Sequence, residues 1–255
     1  MNPNTQINQL LDRVERDHRV RVLFAVESGS RAWGFASPDS DYDVRFVYVH
    51  QREWYLSLDD QRDVVEVTDG DLDVSGWELR KALRLLRKSN ASLLEWLGSP
   101  VVYREDKRLA NELRDLATEC LSVGRCFQHY FYLARGQYER YLMADRVRLK
   151  KYFYVLRPLL ACRWLETRSQ SVPVVFQTLL DATVKEPEVR AAVETLLQRK
   201  KLAGEQEAQL PDPVLHRFIE SELHRLQPLA ASYNSADTAD VEALDHFFQT
   251  VALAA

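Results

Sequence analysis

The chain has 255 residues, of which 46% are hydrophobic, and this content excludes a largely disordered protein. Its three cysteines are too few for a disulfide framework or a cysteine-based zinc site, so we expect free thiols in a reducing compartment. The amino terminus lacks the signal-peptide pattern, and the longest uncharged stretch, residues 169–180, is too short to span a bilayer. We therefore expect a cytoplasmic protein with no membrane contact.

The net charge of −4 conceals an uneven distribution. Residues 1–75 carry 8 Lys or Arg against 15 Asp or Glu, residues 76–201 carry 24 against 14, and residues 205–255 carry 2 against 9. A cationic middle of this kind favours a polyanionic ligand, but solvated Arg and Lys on helix surfaces explain it equally well. Composition alone leaves both explanations open.

The first hundred residues predict a mixed α/β unit. Apolar residues at helical spacing predict a helix over residues 5–17, and β-branched and aromatic runs predict strands over 19–28 and 41–49. A further extended pair is predicted over residues 62–67 and 71–74. The run Ser75-Gly76-Trp77-Glu78 matches a capping box, so a helix is expected to begin there.

Beyond that point the periodicity is helical almost throughout. The predicted helices cover residues 91–97, 105–119, 125–144, 148–167, 174–183, 187–201, 213–226 and 239–252. Ser99-Pro100 ends one of them, so the boundary between the α/β unit and an all-helical region is placed near residue 100. The predicted fold class is α+β, with domains at residues 1–100 and 101–255.

Two aspartates stand at the head of the second predicted strand. Side chains alternate between the faces of a strand, so Asp41 and Asp43 are expected to project on the same side. Two neighbouring carboxylates repel each other unless a cation lies between them, and Mg²⁺ prefers oxygen ligands of this kind. The pattern therefore predicts a divalent metal site.

A Gly-Ser pair follows the first predicted strand. Gly29 permits close backbone approach, and backbone amides together with the Ser30 hydroxyl can hold phosphate oxygens. The Gly-Ser pair would then bind the phosphates of the same substrate whose metal ion is held by Asp41 and Asp43.

The run GSRAWGFASPDSDYDVRFVYV, residues 29–49, resembles the signature of the DNA polymerase β nucleotidyltransferase superfamily. The particular residues of this run, including Arg31, Ser37 and Ser40, are similar to those of a bacterial and phage family called RlaP. The name of that family associates it with RNA repair. Residues 89–103 and 150–165 are also similar to later blocks of that family. The resemblance implies that residues 1–100 form a nucleotidyltransferase catalytic domain with a mixed sheet and flanking helices. Residues 101–255 would complete the nucleotide and acceptor cleft.

The resemblance also implies a third carboxylate on a neighbouring strand, which completes a site for two Mg²⁺ ions, with Mn²⁺ as an alternative. The candidates are Asp71 and Asp73. Asp73 is preferred because it lies inside the short apolar run Leu72-Asp73-Val74, whereas Asp71 has the character of a turn residue. Asp41, Asp43 and Asp73 are thus the implied catalytic residues and metal ligands.

Further residues are implied to bind the nucleotide. Arg31 belongs to the motif with Gly29 and Ser30, while Lys150, Tyr154 and Arg157 share one face of a predicted helix beside Lys151. One of the two lysines would reach the phosphates, and Tyr152 or Tyr154 would stack on a base; aromatic residues at helical spacing are, however, more often core.

The implied activity is transfer of a nucleoside monophosphate from an NTP to an acceptor hydroxyl, with an RNA end as the acceptor that the family name indicates. Two alternatives remain open. One is a protein-modifying, AMPylating nucleotidyltransferase of antitoxin type, and the other is a nucleotide-binding regulatory module without catalysis. Retention of three converging carboxylates argues against the second alternative.

Overall fold

The computed structural model describes residues 2–202, 208–233 and 239–255. The fold is α+β, which confirms the predicted class, and its sheet is mixed. The helices are α1 Pro3–His18, α2 Gly29–Trp33, α3 Leu79–Arg87, α4 Ala91–Leu97, α5 Lys107–Glu119, α6 Val123–Tyr141, α7 Leu149–Thr167, α8 Phe176–Thr183, α9 Pro187–Leu202, α10 Pro213–Ser232 and α11 Val241–Leu253. The strands are β1 Val20–Glu27, β2 Tyr42–His50, β3 Val64–Asp69, β4 Leu72–Glu78, β5 Val102–Glu105, β6 Val147–Arg148 and β7 Ala208–Gln209, and a 3₁₀ helix covers Arg52–Leu56.

Five strands form the main sheet, in the order β3-β4-β2-β1-β5. The central strands β1 and β2 are antiparallel, and β5 pairs antiparallel with the other edge of β1. The strands β2 and β4 are parallel, so both begin at the same edge of the sheet. Residues near the start of β2 are therefore brought beside residues near the start of β4.

Both faces of this sheet are buried. Val44, Phe46 and Tyr48 of β2 pack in a core with the apolar face of α1. Val47 and Val49, which alternate with them, pack in a second core with α3, α4, α5 and α11. Asp43 and Arg45 belong to the same alternating set as Val47, so the pleat directs them to this second face at the beginning of the strand.

Two compact units divide the chain. The first comprises Met1–Ala32, Asp41–Leu121 and Asp237–Ala255 and contains the main sheet. The second comprises Trp33–Ser40 and Ser122–Ala236 and contains α6 to α10 with the small β6-β7 pair. The first unit is thus larger than residues 1–100, because α5 and α11 contribute to the core on one face of its sheet. Within the described ranges, no helix combines the length and apolar character that crossing a membrane requires.

The structure corrects two predictions about local elements. The predicted helix start at Ser75 is wrong: β4 continues to Glu78, paired with β2 through Tyr48, and α3 begins at Leu79. The Glu78 side chain caps α3 by accepting a hydrogen bond from the Lys81 backbone N–H at 3.1 Å. The region beyond residue 100 is not wholly helical, since β5 extends the main sheet.

Gly76 fixes the contact between the parallel strands. It pairs with Phe46, and a Cβ at Gly76 would lie 2.2 Å from the buried Phe46 ring. We expect Gly76→Ala to lower the free energy of unfolding by about 1–3 kcal/mol, the usual cost of overpacking a core. Gly136→Ala, at an exposed position of α6 with nothing within 4 Å of the new Cβ, is the control and should stabilise by about 0.5–1 kcal/mol. Urea denaturation measures both, and equal effects would contradict the close packing of Phe46.

Candidate active site

The three predicted carboxylates all belong to the first unit, near the start of β2 and β4. Asp41 is exposed and immediately precedes β2, while Asp43 is the second residue of that strand. Asp73 is the second residue of β4 and is the direct register partner of Asp43. Paired residues on parallel strands project on the same face, so Asp43 and Asp73 lie side by side. Asp71 lies in the turn before β4, and its carbonyl accepts a hydrogen bond from the Tyr42 N–H at 2.9 Å.

The backbone after β1 packs directly on the Asp43 carboxylate. Gly29 has a positive φ of 60°, and a Cβ there would lie 2.3 Å from Asp43 Oδ2. Only glycine adopts this conformation readily and leaves room for the carboxylate. The Ser28 N–H donates to the Asp43 carbonyl at 2.8 Å, which joins the end of β1 to the start of β2. The Gly-Ser element and the Asp-x-Asp element therefore meet, as the sequence predicted.

Arg45 links Asp43 to Asp73. Its Nη2 lies 3.2 Å from Asp43 Oδ1 and 2.8 Å from Asp73 Oδ2. Its Nη1 donates to the carbonyls of Val44 and Asp73, at 3.0 and 2.9 Å. Two carboxylates on adjacent strands thus share one guanidinium nitrogen, and a single cation position lies between them.

Glu27 of β1 contacts β2 on the side opposite to β4. It is buried, and its Oε1 accepts a hydrogen bond from the Asp43 N–H at 2.8 Å. The Tyr103 hydroxyl of β5 donates to Glu27 Oε2. Burial raises the pKa of the Glu27 carboxyl, while the hydrogen bonds from Tyr103 and the Asp43 N–H oppose that rise. Glu27 therefore fixes the Asp43 backbone to β1 and β5.

The donors at this position fit a hard divalent cation in chemistry. Asp41, Asp43 and Asp73 offer only carboxylate oxygens, the ligands that Mg²⁺ prefers. Asp43 and Asp73 already reach one shared point, which the Arg45 Nη2 occupies. Across residues 2–202, 208–233 and 239–255, no three Asp, Glu, His or Cys side chains are gathered as a metal cluster. The structure thus brings two of the three predicted ligands to a common cation position.

Arg31 is oriented along the same edge of the sheet. Its Nε donates to the Asp41 carbonyl at 3.1 Å, and its guanidinium carbon lies 3.8 Å from the centroid of the Tyr42 ring. Ser30, its neighbour in α2, is partly exposed. The structure thus places Gly29, Ser30 and Arg31 with the carboxylates in the first unit.

The other predicted nucleotide contacts lie in the second unit. Lys150, Lys151 and Tyr154 are half-buried in α7, and the Lys151 ammonium lies 4.6 Å from the Tyr154 ring centroid. Arg157 is buried, with its guanidinium carbon 4.9 Å from the Trp33 ring centroid.

The alternative of base stacking by Tyr152 is wrong. This ring is fully buried, and its hydroxyl accepts a hydrogen bond from the Asp212 N–H at 2.8 Å. Tyr154 remains the candidate for stacking.

Arg45 and Glu27 were missed in the sequence, although each left a signal. Arg45 continues the alternation of Asp41 and Asp43 on one strand face, so D-x-D-x-R placed it beside the carboxylates. Glu27 is a carboxylate at the end of an apolar strand, immediately before the Gly-Ser pair. Buried charges in such places need partners, which is a reason to search for them.

This mixed sheet, with Gly-Ser after β1 and paired aspartates on the adjacent strands β2 and β4, has the arrangement of a nucleotidyltransferase of polymerase β type. A sequence profile described as "RlaP: RNA repair pathway DNA polymerase beta family" matches residues 4–250. The chain belongs to this family, which implies a nucleotide substrate. Enzymes of the polymerase β type generally use divalent metals, in agreement with the carboxylate donors.

Similar proteins include "Uncharacterized protein YcgL" of Bacillus subtilis (strain 168), 49% identical over 221 residues that cover 86% of this chain and 85% of that protein. "Uncharacterized protein MJ0002" of Methanocaldococcus jannaschii is 30% identical over 104 residues, 39% of this chain and 42% of that protein. A crystal structure of a nucleotidyltransferase-like protein from Exiguobacterium sibiricum 255-15 matches with a TM-score of 0.32 and 16% identity, covering 96% of this chain and 79% of that one.

Proposed function

We propose that the protein transfers a nucleoside monophosphate from an NTP to the hydroxyl of an RNA end and releases pyrophosphate. The observation that supports this most directly is the pairing of Asp43 with Asp73 on parallel strands, against the backbone of Gly29. The description of the family supports RNA as the acceptor. The cationic middle of the sequence suits a polyanionic acceptor, although solvated helix surface explains it equally well, so the two explanations are separated by experiment.

In the proposed reaction the acceptor oxygen attacks the α-phosphorus, an O–P bond forms, and the bond to pyrophosphate breaks. Asp41, Asp43 and Asp73 would hold two Mg²⁺ ions, or Mn²⁺. When bound, these ions neutralise charge on the phosphates and favour the attacking alkoxide. Asp73 helps to remove the proton from the acceptor hydroxyl.

Binding of the outer phosphates is assigned to the Gly29 backbone amide and the Ser30 hydroxyl, with Arg31 beside them. Lys150, Lys151 and Tyr154 are assigned to the nucleotide as well, and these roles stay predictions. Arg157 was predicted with them, but its side chain is buried, so no contact with the nucleotide is proposed for it. So does the division into a catalytic domain at residues 1–100 and a helical domain at 101–255 that completes the cleft.

The test is incubation of the full chain with each α-³²P-labelled NTP, with Mg²⁺ or Mn²⁺, and with separate pools of RNA and protein. Label in RNA, absent for Asp43→Asn, is the expected result. Label in the protein pool would instead establish the protein-modifying alternative. NTP binding without transfer to either pool would leave a nucleotide-binding regulatory module.

The cationic surplus of residues 76–201 gives a second prediction. If it contacts RNA, binding of a short single-stranded RNA should weaken steeply with salt, by about 0.7 in the log–log slope for each neutralised phosphate. NTP affinity should fall less steeply because close contacts dominate it. Fluorescence anisotropy between low and physiological salt measures both. Absence of RNA binding at low salt would make the surplus ordinary solvated helix surface and would favour a protein or small-molecule acceptor.

A further inference from the structure

Arg45 occupies the position where a cation shared by Asp43 and Asp73 has to lie. Its Nη2 contacts an oxygen of each carboxylate, at 3.2 and 2.8 Å. The other terminal nitrogen, Nη1, is held by two backbone carbonyls. The side chain is only 19% exposed. These contacts come from both strands, so the guanidinium is fixed by the sheet itself and is not a loose surface charge.

The same contacts create a competition. Asp43 and Asp73 are the carboxylates that the proposed reaction assigns to metal, and one oxygen of each is engaged by Arg45. The Arg45 guanidinium and a divalent metal ion bound to the same two carboxylates would repel each other strongly, because the position is partly buried. A divalent ion that takes both carboxylates must therefore displace Nη2 from them.

We propose that Arg45 is a built-in counter-ion that holds Asp43 and Asp73 together before metal binds. When metal and nucleotide bind, the guanidinium dissociates from the two carboxylates and the metal takes its place. This inference rests on the proposed function, and it assigns Arg45 both to the positioning of the two carboxylates and to the binding of the triphosphate. The displaced guanidinium then binds a phosphate oxygen of the incoming triphosphate, for which its planar donors are well matched. Metal and nucleotide consequently bind better together than either does alone.

Titration of the full chain with Mn²⁺ alone, followed by electron paramagnetic resonance of the free ion, tests the competition. Arg45→Gln should bind Mn²⁺ on the order of tenfold more tightly than the unchanged protein, because a competing charge has been removed from two ligands. Arg45→Lys keeps the positive charge but loses the planar guanidinium, so its Mn²⁺ affinity should lie between those of the unchanged protein and Arg45→Gln. Arg62→Gln is the matched control, since Arg62 forms an exposed ion pair with Glu66 of the edge strand β3, and the Mn²⁺ affinity of this variant should not change.

A second titration adds the four α,β-methylene NTPs as a mixture, which cannot be cleaved at the α-phosphorus. The analogues should raise Mn²⁺ affinity more in the unchanged protein than in Arg45→Gln, because only the former has a guanidinium to transfer to phosphate. An equal increase in both would contradict that transfer. Thermal unfolding of every variant confirms that the fold is intact.

The outcomes separate this inference from the proposed function. If Asp43→Asn abolishes Mn²⁺ binding but Arg45→Gln leaves it unchanged or weaker, Arg45 is merely a structural link between strands and the inference fails alone. If neither the unchanged protein nor Arg45→Gln binds Mn²⁺ even in the presence of the analogues, both the inference and the metal-dependent function fail.

Discussion

Replacing Asp43 with Asn is expected to lower metal-dependent nucleotidyl transfer by on the order of 10³-fold or more while the fold is retained. The carboxylate is the candidate metal ligand and pairs with Arg45, whereas the contacts that join this residue to β1 are made by its backbone. Its N–H donates to Glu27 and its carbonyl accepts from Ser28, and both contacts survive the substitution. Asp41→Asn should lower transfer by the same order, because Asp41 is also a proposed metal ligand. The fold should be retained, because Asp41 is exposed and immediately precedes β2.

Steady-state transfer at saturating Mg²⁺ measures the loss. Asp69→Asn is the matched control, since Asp69 also pairs with an arginine, Arg13 at 3.0 Å, but is the register partner of Leu72 and so lies on the sheet face opposite to Asp73. Its transfer rate should stay within about twofold of the unchanged protein, the range expected of a surface ion pair with little energetic weight. A transfer rate for Asp43→Asn equal to that of this control would remove Asp43 from the reaction.

The thermal stability of Asp43→Asn depends on Arg45. From sequence, two like charges at Asp41 and Asp43 suggest that removing one relieves repulsion and holds or raises the melting temperature in metal-free buffer. The structure places the Arg45 guanidinium against Asp43, which offsets that repulsion. Removing the carboxylate loses the ion pair with Arg45 and at the same time relieves the repulsion with Asp41, so the two effects oppose each other and we expect a small change in melting temperature.

Local signals were sufficient for much of the fold. The predicted helix at residues 91–97 coincides with α4, where Asn90 caps the first turn by accepting from the Leu93 N–H. The strands β1 and β2 were predicted from runs of β-branched and aromatic residues whose two faces are both buried. In these places propensity, capping and burial favour the same conformation, so sequence alone indicates the element.

Long-range pairing decides the elements that sequence missed. Ser75 and Glu78 have the local pattern of a capping box, but the parallel ladder with β2 keeps this segment extended to Glu78. The four residues of β5 are too few for a periodic signal, and their strand conformation comes from pairing with β1, about eighty residues earlier. Propensity cannot reveal contacts of this kind.

The candidate site shows the same division. The spacing of Asp41 and Asp43 and the Gly-Ser pair upstream are local patterns, and they predicted that the two elements serve one substrate; the structure adds that Gly29 lies against Asp43. The contact of Arg45 with Asp73 spans 28 positions and exists only because β4 lies parallel to β2 in one register. A shift of that register would leave every local pattern unchanged and would remove the shared cation position.

Register also gives the last prediction, which separates the two candidates for the third carboxylate. Asp73→Ala should reduce transfer to the background of the assay, because Asp73 is the direct partner of Asp43 and its carboxylate is the proposed proton acceptor. Asp71→Ala should keep transfer within about tenfold, since the contact of Asp71 with Tyr42 uses the backbone carbonyl, which alanine retains.

Steady-state kinetics of the two variants side by side provide the measurement, with circular dichroism to show that both fold. Asp73 is a register partner on the sheet and Asp71 is in the turn before it, so the two substitutions remove the same group two residues apart. A severe loss for Asp71→Ala with activity retained in Asp73→Ala would mean that β4 pairs with β2 two residues out of this register. Such a displacement keeps the same strand face and would bring Asp71 beside Asp43. The shared position now held by Arg45 would then have to be assigned to a different pair of carboxylates.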